Sequence, residues 1–238
     1  MLLRSFAATA LFLASTAAWG ADAVVEQDPV PAPVATSGFT GGIDFSVYGG
    51  ASASPHSDID FVLADGTTGS IGPGWDGASF EMPPYYGIRA TYWLESMPNL
   101  GVALDFTHAK VKADLDRAPG FQKLEFTDGI NLLTANVHYR YEWTDRITPY
   151  VGVGVGASIP YVEVTNTATG TFTEELQLAG VAASALAGVD FAITDRISAF
   201  AEYKFSYATV DADLNNGGSL ETDLIINQAA IGLTFKVF

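Results

Sequence analysis

Residues 150–157 read YVGVGVGA, with glycine at 152, 154 and 156 and valine at 151, 153 and 155. A dinucleotide-binding turn needs G-x-G-x-x-G where a strand passes into a helix, so that the backbone closes around a pyrophosphate. The spacing here is wrong for that, and no helical period follows. Strict alternation instead makes one strand face apolar and leaves the other as bare backbone. The arrangement fits a membrane barrel. Val151, Val153, Val155 and Ala157 then face lipid, while Gly152, Gly154 and Gly156 face a lumen with little room. The next strand repeats it with Gly180, Ala182, Ser184 and Gly188.

Working outward, eight alternating segments are expected at 42–53, 79–95, 100–113, 123–143, 148–164, 176–193, 197–213 and 222–238. Short turns at 96–99, 144–147 and 194–196 alternate with longer polar connections at 54–78, 114–122, 165–175 and 214–221. Within 197–213, Ala201, Tyr203, Phe205 and Tyr207 share a face opposite Glu202, Lys204 and Ser206. Apolar outside and polar inside is the reverse of a soluble barrel. The expected fold is all-β, an eight-stranded antiparallel transmembrane β-barrel with short periplasmic turns and longer extracellular loops. Tyr85, Tyr86, Tyr92, Trp93, Tyr139, Tyr141, Trp143, Tyr150, Tyr161, Tyr203 and Tyr207 lie near strand ends, where aromatic girdles are expected.

The first residues, MLLRSFAATALFLASTAAWG, show a basic residue, a short apolar run and small residues before Ala21, the anatomy of a signal peptide over 1–20. Its apolar run is too short to span a membrane. The formal charge is −16, and removing Arg4 with the leader gives −17. Such acidity excludes a nucleic-acid partner, which needs a basic patch. With no cysteine, disulfide scaffolds, thiol nucleophiles and Cys-based metal sites are excluded as well. A Pro-rich periplasmic segment is expected at 21–41, followed by the barrel at 42–238.

The chain resembles the small outer-membrane β-barrel proteins of Gram-negative bacteria, especially alphaproteobacterial ones. The C-terminal AAIGLTFKVF places Ile231, Leu233, Phe235 and Val237 on one face and ends in Phe238. That resembles the strand signal read by the barrel assembly machinery, although Phe238 is out of phase with Phe235. A narrower resemblance lies in YYGIRATYWLESMPNLGVALDFTHAKV (85–111), LEFTDGINLLTANVHYRY (124–141) and AEYKFSYATVDADL (201–214). These segments are similar to lipid A oxidases, which convert the proximal glucosamine of lipid A to 2-aminogluconate with oxygen. The resemblance implies lipid and lipopolysaccharide as partners, a monomer, and molecular oxygen with a divalent metal as a possible aid. It carries over no catalytic residue.

Continuing the lipid-facing phase of Val102, Leu104 and Phe106 gives His108, Lys110 and Lys112; that of Leu133, Ala135 and Val137 gives Asn131, Thr127, Glu125 and Lys123. Two neighbouring strands therefore turn polar on one face at the long-loop end. One reading makes His108 and Glu125 a catalytic acid–base pair, with Lys110, Lys112, Lys123 and Asn131 binding substrate. The other leaves all six merely meeting water and headgroups, in a non-catalytic structural or surface-interaction barrel. A bulge at Asp128-Gly129 would reverse the phase and turn Glu125 inward. In the lumen, Arg89, Asp105, Asn136, His138, Arg140, Glu202, Lys204, Gln228 and Lys236 are expected to form a fixed plug rather than a pore. His56 has no assigned role, and Asp58, Asp60, Asp65 and Asp76 lack the order of a calcium loop.

Overall fold

The computed structural model describes residues 38–237. The expected leader, Phe238 and the Pro-rich segment up to residue 37 lie outside them. In chain order the strands are β1 (Gly42–Ala53), β2 (Ile59–Val62), β3 (Thr68–Ile71), β4 (Trp75–Asp76), β5 (Tyr86–Trp93), β6 (Leu100–Ala113), β7 (Lys123–Arg140), β8 (Ile147–Asn166), β9 (Thr171–Leu176), β10 (Gly180–Ala192), β11 (Ile197–Leu214) and β12 (Gly218–Lys236). Eight of them, β1, β5, β6, β7, β8, β10, β11 and β12, pair antiparallel in that order. β12 returns to β1 through Phe45↔Phe235 and Ala53↔Asn227, closing the ring.

The glycine stretch sits as its alternation requires. Val151, Val153 and Val155 are exposed on the outer wall. A Cβ at Gly154 would meet the Asn136 side chain, and one at Gly156 the Leu133 carbonyl. The glycines thus let polar lumen side chains and the neighbouring backbone approach closely.

Four expectations need correction. The long connections carry structure: β2 and β3 form a hairpin beside β12, β4 pairs with the tip of β6, and β9 pairs with β8. The second barrel strand begins at Tyr86 rather than at 79. Pro83 and Pro84 have no N–H to give a ladder, and the chain turns there through Glu81 N donating to Ala78 O and Tyr85 N to Ser79 O. Tyr85, Trp93 and Tyr150 leave the expected girdles and point into the lumen, where Tyr85 and Trp93 are buried and the Tyr150 hydroxyl reaches Glu202.

The fourth correction concerns the lumen itself, which is polar only in its lower half, toward the short turns. Above it lies a hydrophobic core that includes Ile59, Val111, Phe126, Ile130, Val162, Val210, Leu220, Leu224 and Ile226. The outer wall there carries Asp211, Asp213, Glu221 and Asp223. β8 has 20 residues, about 50 Å along the barrel axis once tilted, against an apolar band of about 25 Å. The upper barrel therefore stands in an aqueous setting, and its apolar residues turn inward as in a soluble protein.

Candidate functional site

The outer-wall strip forms at the level where the apolar belt ends. His108 is only 3% exposed. Its ring stacks on Tyr86 at 5.0 Å and 22°, and Gly129 packs against its other flank. A Cβ at Gly129 would collide with the imidazole, and its φ of 120° is one that glycine tolerates. The bulge expected at Asp128-Gly129 is present, but it inserts two residues rather than one. Ala109 opposes Ile130 while Val111 opposes Phe126. An even insertion restores the phase, so Leu124 and Phe126 point inward and Glu125 stays on the outer wall with Lys112.

A hydrogen-bond chain sets the His108 tautomer. Asn131 Nδ2 donates to Ile159 O at 3.1 Å, which turns Asn131 Oδ1 toward His108 Nδ1 at 2.9 Å. An amide oxygen only accepts, so Nδ1 carries the proton. In the neutral ring Nε2 is then a lone pair, and it is buried without a hydrogen-bond partner. Asn131 therefore orients the imidazole.

The structure does not bring His108 and Glu125 together as a pair. Glu125 lies level with Lys112, four residues further along β6 and about 13 Å away at strand spacing. Its carboxylate is 3.7 Å from Lys112 Nζ and 4.0 Å from Lys123 Nζ. Lys123 also reaches Glu163 at 2.5 Å and Glu174 at 3.0 Å. The bonds to Glu163 and Glu174 hold its ammonium above the ordinary lysine range. Lys110 is separate from this cluster: it is 1% exposed, and its amine donates to Glu81 O at 3.2 Å.

The lower lumen holds the expected plug. Arg89 makes a bidentate pair with Glu202 at 2.7 Å and reaches Asp105 at 2.8 Å. Lys204 bonds Asp105 at 2.8 Å, the Tyr48 hydroxyl at 2.7 Å and Thr107 at 3.0 Å. Asn136 accepts from Ser184, and Gln228 links Tyr85 to Ser206. Tyr48, Tyr85 and Tyr150 were not anticipated as members, although the inward phase of Tyr48 and Tyr150 was available to show it. Beneath the network, Arg140 lies between the rings of Phe39, at 4.2 Å, and Trp93, at 3.9 Å. His138 and Arg140 border a cavity of about 60 Å³, and exposed Lys236 edges its mouth instead of joining the plug.

Asp65 accepts from Thr67 N, which lowers its pKa, and Asp76 accepts from Ala78 N; both shape turns. His56 lies 3.5 Å from Arg117 among the loops. No group of three or more His, Asp or Glu converges on a metal position among the described residues. One imidazole and one amide at His108 do not fit a divalent metal.

A model of the outer membrane protein beta-barrel domain matches residues 6–236. No curated protein sequence matches the chain. Among solved structures, Neisserial surface protein A is 14% identical with a TM-score of 0.47, covering 82% of this chain and 97% of that one. The outer membrane protein AlkL is 17% identical with a TM-score of 0.44, covering 87% and 96%. The Escherichia coli outer membrane protein W is 18% identical with a TM-score of 0.37, covering 84% and 100%. The family match, and not these likenesses, carries the assignment.

Proposed function

The chain belongs to the outer membrane protein β-barrel domain family and sits in the outer membrane, and from that premise we propose that it oxidises lipid A from its outer wall. The observation that carries this reading is His108 Nε2, a buried, unpartnered base on the lipid-facing phase, held in one tautomer by Asn131. The likeness of segments 85–111, 124–141 and 201–214 to lipid A oxidases supports it. His108 takes the proton of the free anomeric hydroxyl on the proximal glucosamine. The anomeric carbon gives up two electrons and its hydrogen to oxygen, which leaves as hydrogen peroxide. The resulting lactone takes up water and opens to 2-aminogluconate, one oxygen atom heavier overall. Glu125 acts as a positioning residue that holds Lys112 and Lys123 on the headgroup side.

The test is mass spectrometry of lipid A from cells lacking the protein, compared with cells carrying it or its His108→Ala variant. A species one oxygen heavier should appear with the protein and fall by about 100-fold or more with the variant, the range of a lost general base. Glu125→Gln should reduce it less. Unchanged lipid A with the protein folded and oxygen supplied would remove the oxidase reading.

One observation favours the second reading, a non-catalytic structural or surface-interaction barrel. Lys112 and Lys123 already face carboxylates, so both must exchange partners before holding a phosphate. Loss of cell binding on loop substitution, with lipid A unaffected, would support that reading.

A further inference from the structure

Between β1 and β6 the upper barrel wall is not a continuous strand. β5 begins at Tyr86, so residues 50–53 of β1 and 109–113 of β6 have no β5 partner between them. β4 pairs with the tip of β6, and residues 77–85 cross the remaining gap as irregular chain. Around the gap, side chains make the ties that a ladder makes elsewhere. Ser52 N donates to Ser79 Oγ at 2.8 Å, and Lys110 Nζ donates to Glu81 O at 3.2 Å. Such a segment opens at lower cost than a strand bonded along both edges.

Beneath it lie groups that lack the partners their chemistry demands. Lys110 is an ammonium with three donors, 1% exposed, and among the described residues no carboxylate lies within ion-pair distance of it. Burying a cation against a single carbonyl is unfavourable, and an anion in its place offsets that cost. His108 Nε2 on the same face makes no hydrogen bond of good geometry, and the Pro83 carbonyl of this segment is within weak hydrogen-bond reach of the ring. Phe80 and Met82, both 83% exposed, project outward from the same segment.

We propose that residues 79–85 are a displaceable strap over a lateral anion site, and that its ligand is the phosphate of an outer-leaflet lipid headgroup. When the strap moves, Lys110 exchanges the Glu81 carbonyl for the phosphate, and the lipid's acyl chains lie against Phe80 and Met82. The inference rests on the reading of His108 as the base acting on lipid A and adds how the lipid reaches it.

The chain has no cysteine, and Ser52 Oγ lies 3.3 Å from Ser79 Oγ, so the double variant Ser52→Cys, Ser79→Cys places one disulfide across the gap. The full-length protein is placed in zwitterionic nanodiscs, and binding of labelled lipid A is measured. Binding should fall by about tenfold or more in the oxidised double variant, return on reduction, and fall similarly in Lys110→Met. Recovery on reduction, together with heat-dependent gel mobility, shows that the barrel is folded throughout. Equal binding in the oxidised and reduced forms would overturn the strap, and unchanged binding in Lys110→Met would overturn the site. Competition by inorganic phosphate would make it a general phosphate site and overturn the assignment to a lipid. Binding by these rules with no change in lipid A mass would sink the oxidase reading alone, whereas oxidation that survives the locked disulfide would sink the strap alone.

Discussion

Along β11 the outward residues Tyr203, Phe205 and Tyr207 give way to Thr209, Asp211 and Asp213, while the inward Glu202, Lys204 and Ser206 give way to Ala208, Val210 and Ala212. One strand thus has two opposite patterns, and the barrel divides with it. Below, lipid surrounds the wall, so apolar residues face out and a charge network fills the lumen. Above, water surrounds it, so charges face out and an ordinary hydrophobic core forms inside. A closed sheet satisfies its backbone in either solvent, so the inversion lies entirely in the side chains. His108 and Lys110 sit at the boundary, on the outward phase but buried by their neighbours.

The comparison can be broken from either side. The largest effect is expected from Arg89→Leu, which leaves the buried carboxylates of Glu202 and Asp105 to share Lys204; urea unfolding in lipid should show a loss of about 4 kcal/mol. If the loss is slight, the lower lumen is hydrated rather than a dry plug. In the upper half, Leu224→Ala removes a fully buried side chain and should cost about 3 kcal/mol by the same measurement. A much smaller value would mean that the upper core is loosely packed.

Arginine placed on the two outer walls sharpens the boundary. Val155→Arg, at a position 69% exposed in the apolar belt, should destabilise by about 2 kcal/mol, whereas Asp213→Arg above it should change stability by less than about 0.5 kcal/mol. Similar values at both sites would place the membrane elsewhere. A small effect is expected from Lys123→Met, about 0.5 kcal/mol after solvent screening. Because the folded pKa of Lys123 is raised, its contribution is complete below the unfolded value near 10.4 and is lost only as pH rises through the folded one. The difference between wild type and variant should therefore stay flat from about pH 6 to 9, and a slope in that window would count against the ion pair.

Much of this was legible because a strand has a period of two and the solvent on each side selects residue type. The barrel, its strand count, the lipid-facing valines, the inward Arg89, Asp105, Glu202 and Lys204, and the outward phase of His108 and Lys110 all follow from alternation. The inversion was present too, in ATVDADL at 208–214, but reading one membrane pattern along the whole strand concealed it. Prolines at 83 and 84 mark the late start of β5, against the apolar alternation of Phe80 and Met82 that extends it toward 79.

What the sequence by itself determined is which face each strand residue takes and that the sheet must close, because every backbone group in lipid needs a partner. What only the tertiary structure decided is who meets whom. Arg89 finds Glu202 across the lumen, 113 residues away, and the two-residue bulge keeps Glu125 outward and sets it level with Lys112, four residues beyond His108 along β6. Lys110 bonds the Glu81 carbonyl of an irregular segment, not of a strand. Alternation sets direction along a strand, whereas register, shear and bulges set distance across strands, and no local pattern contains them.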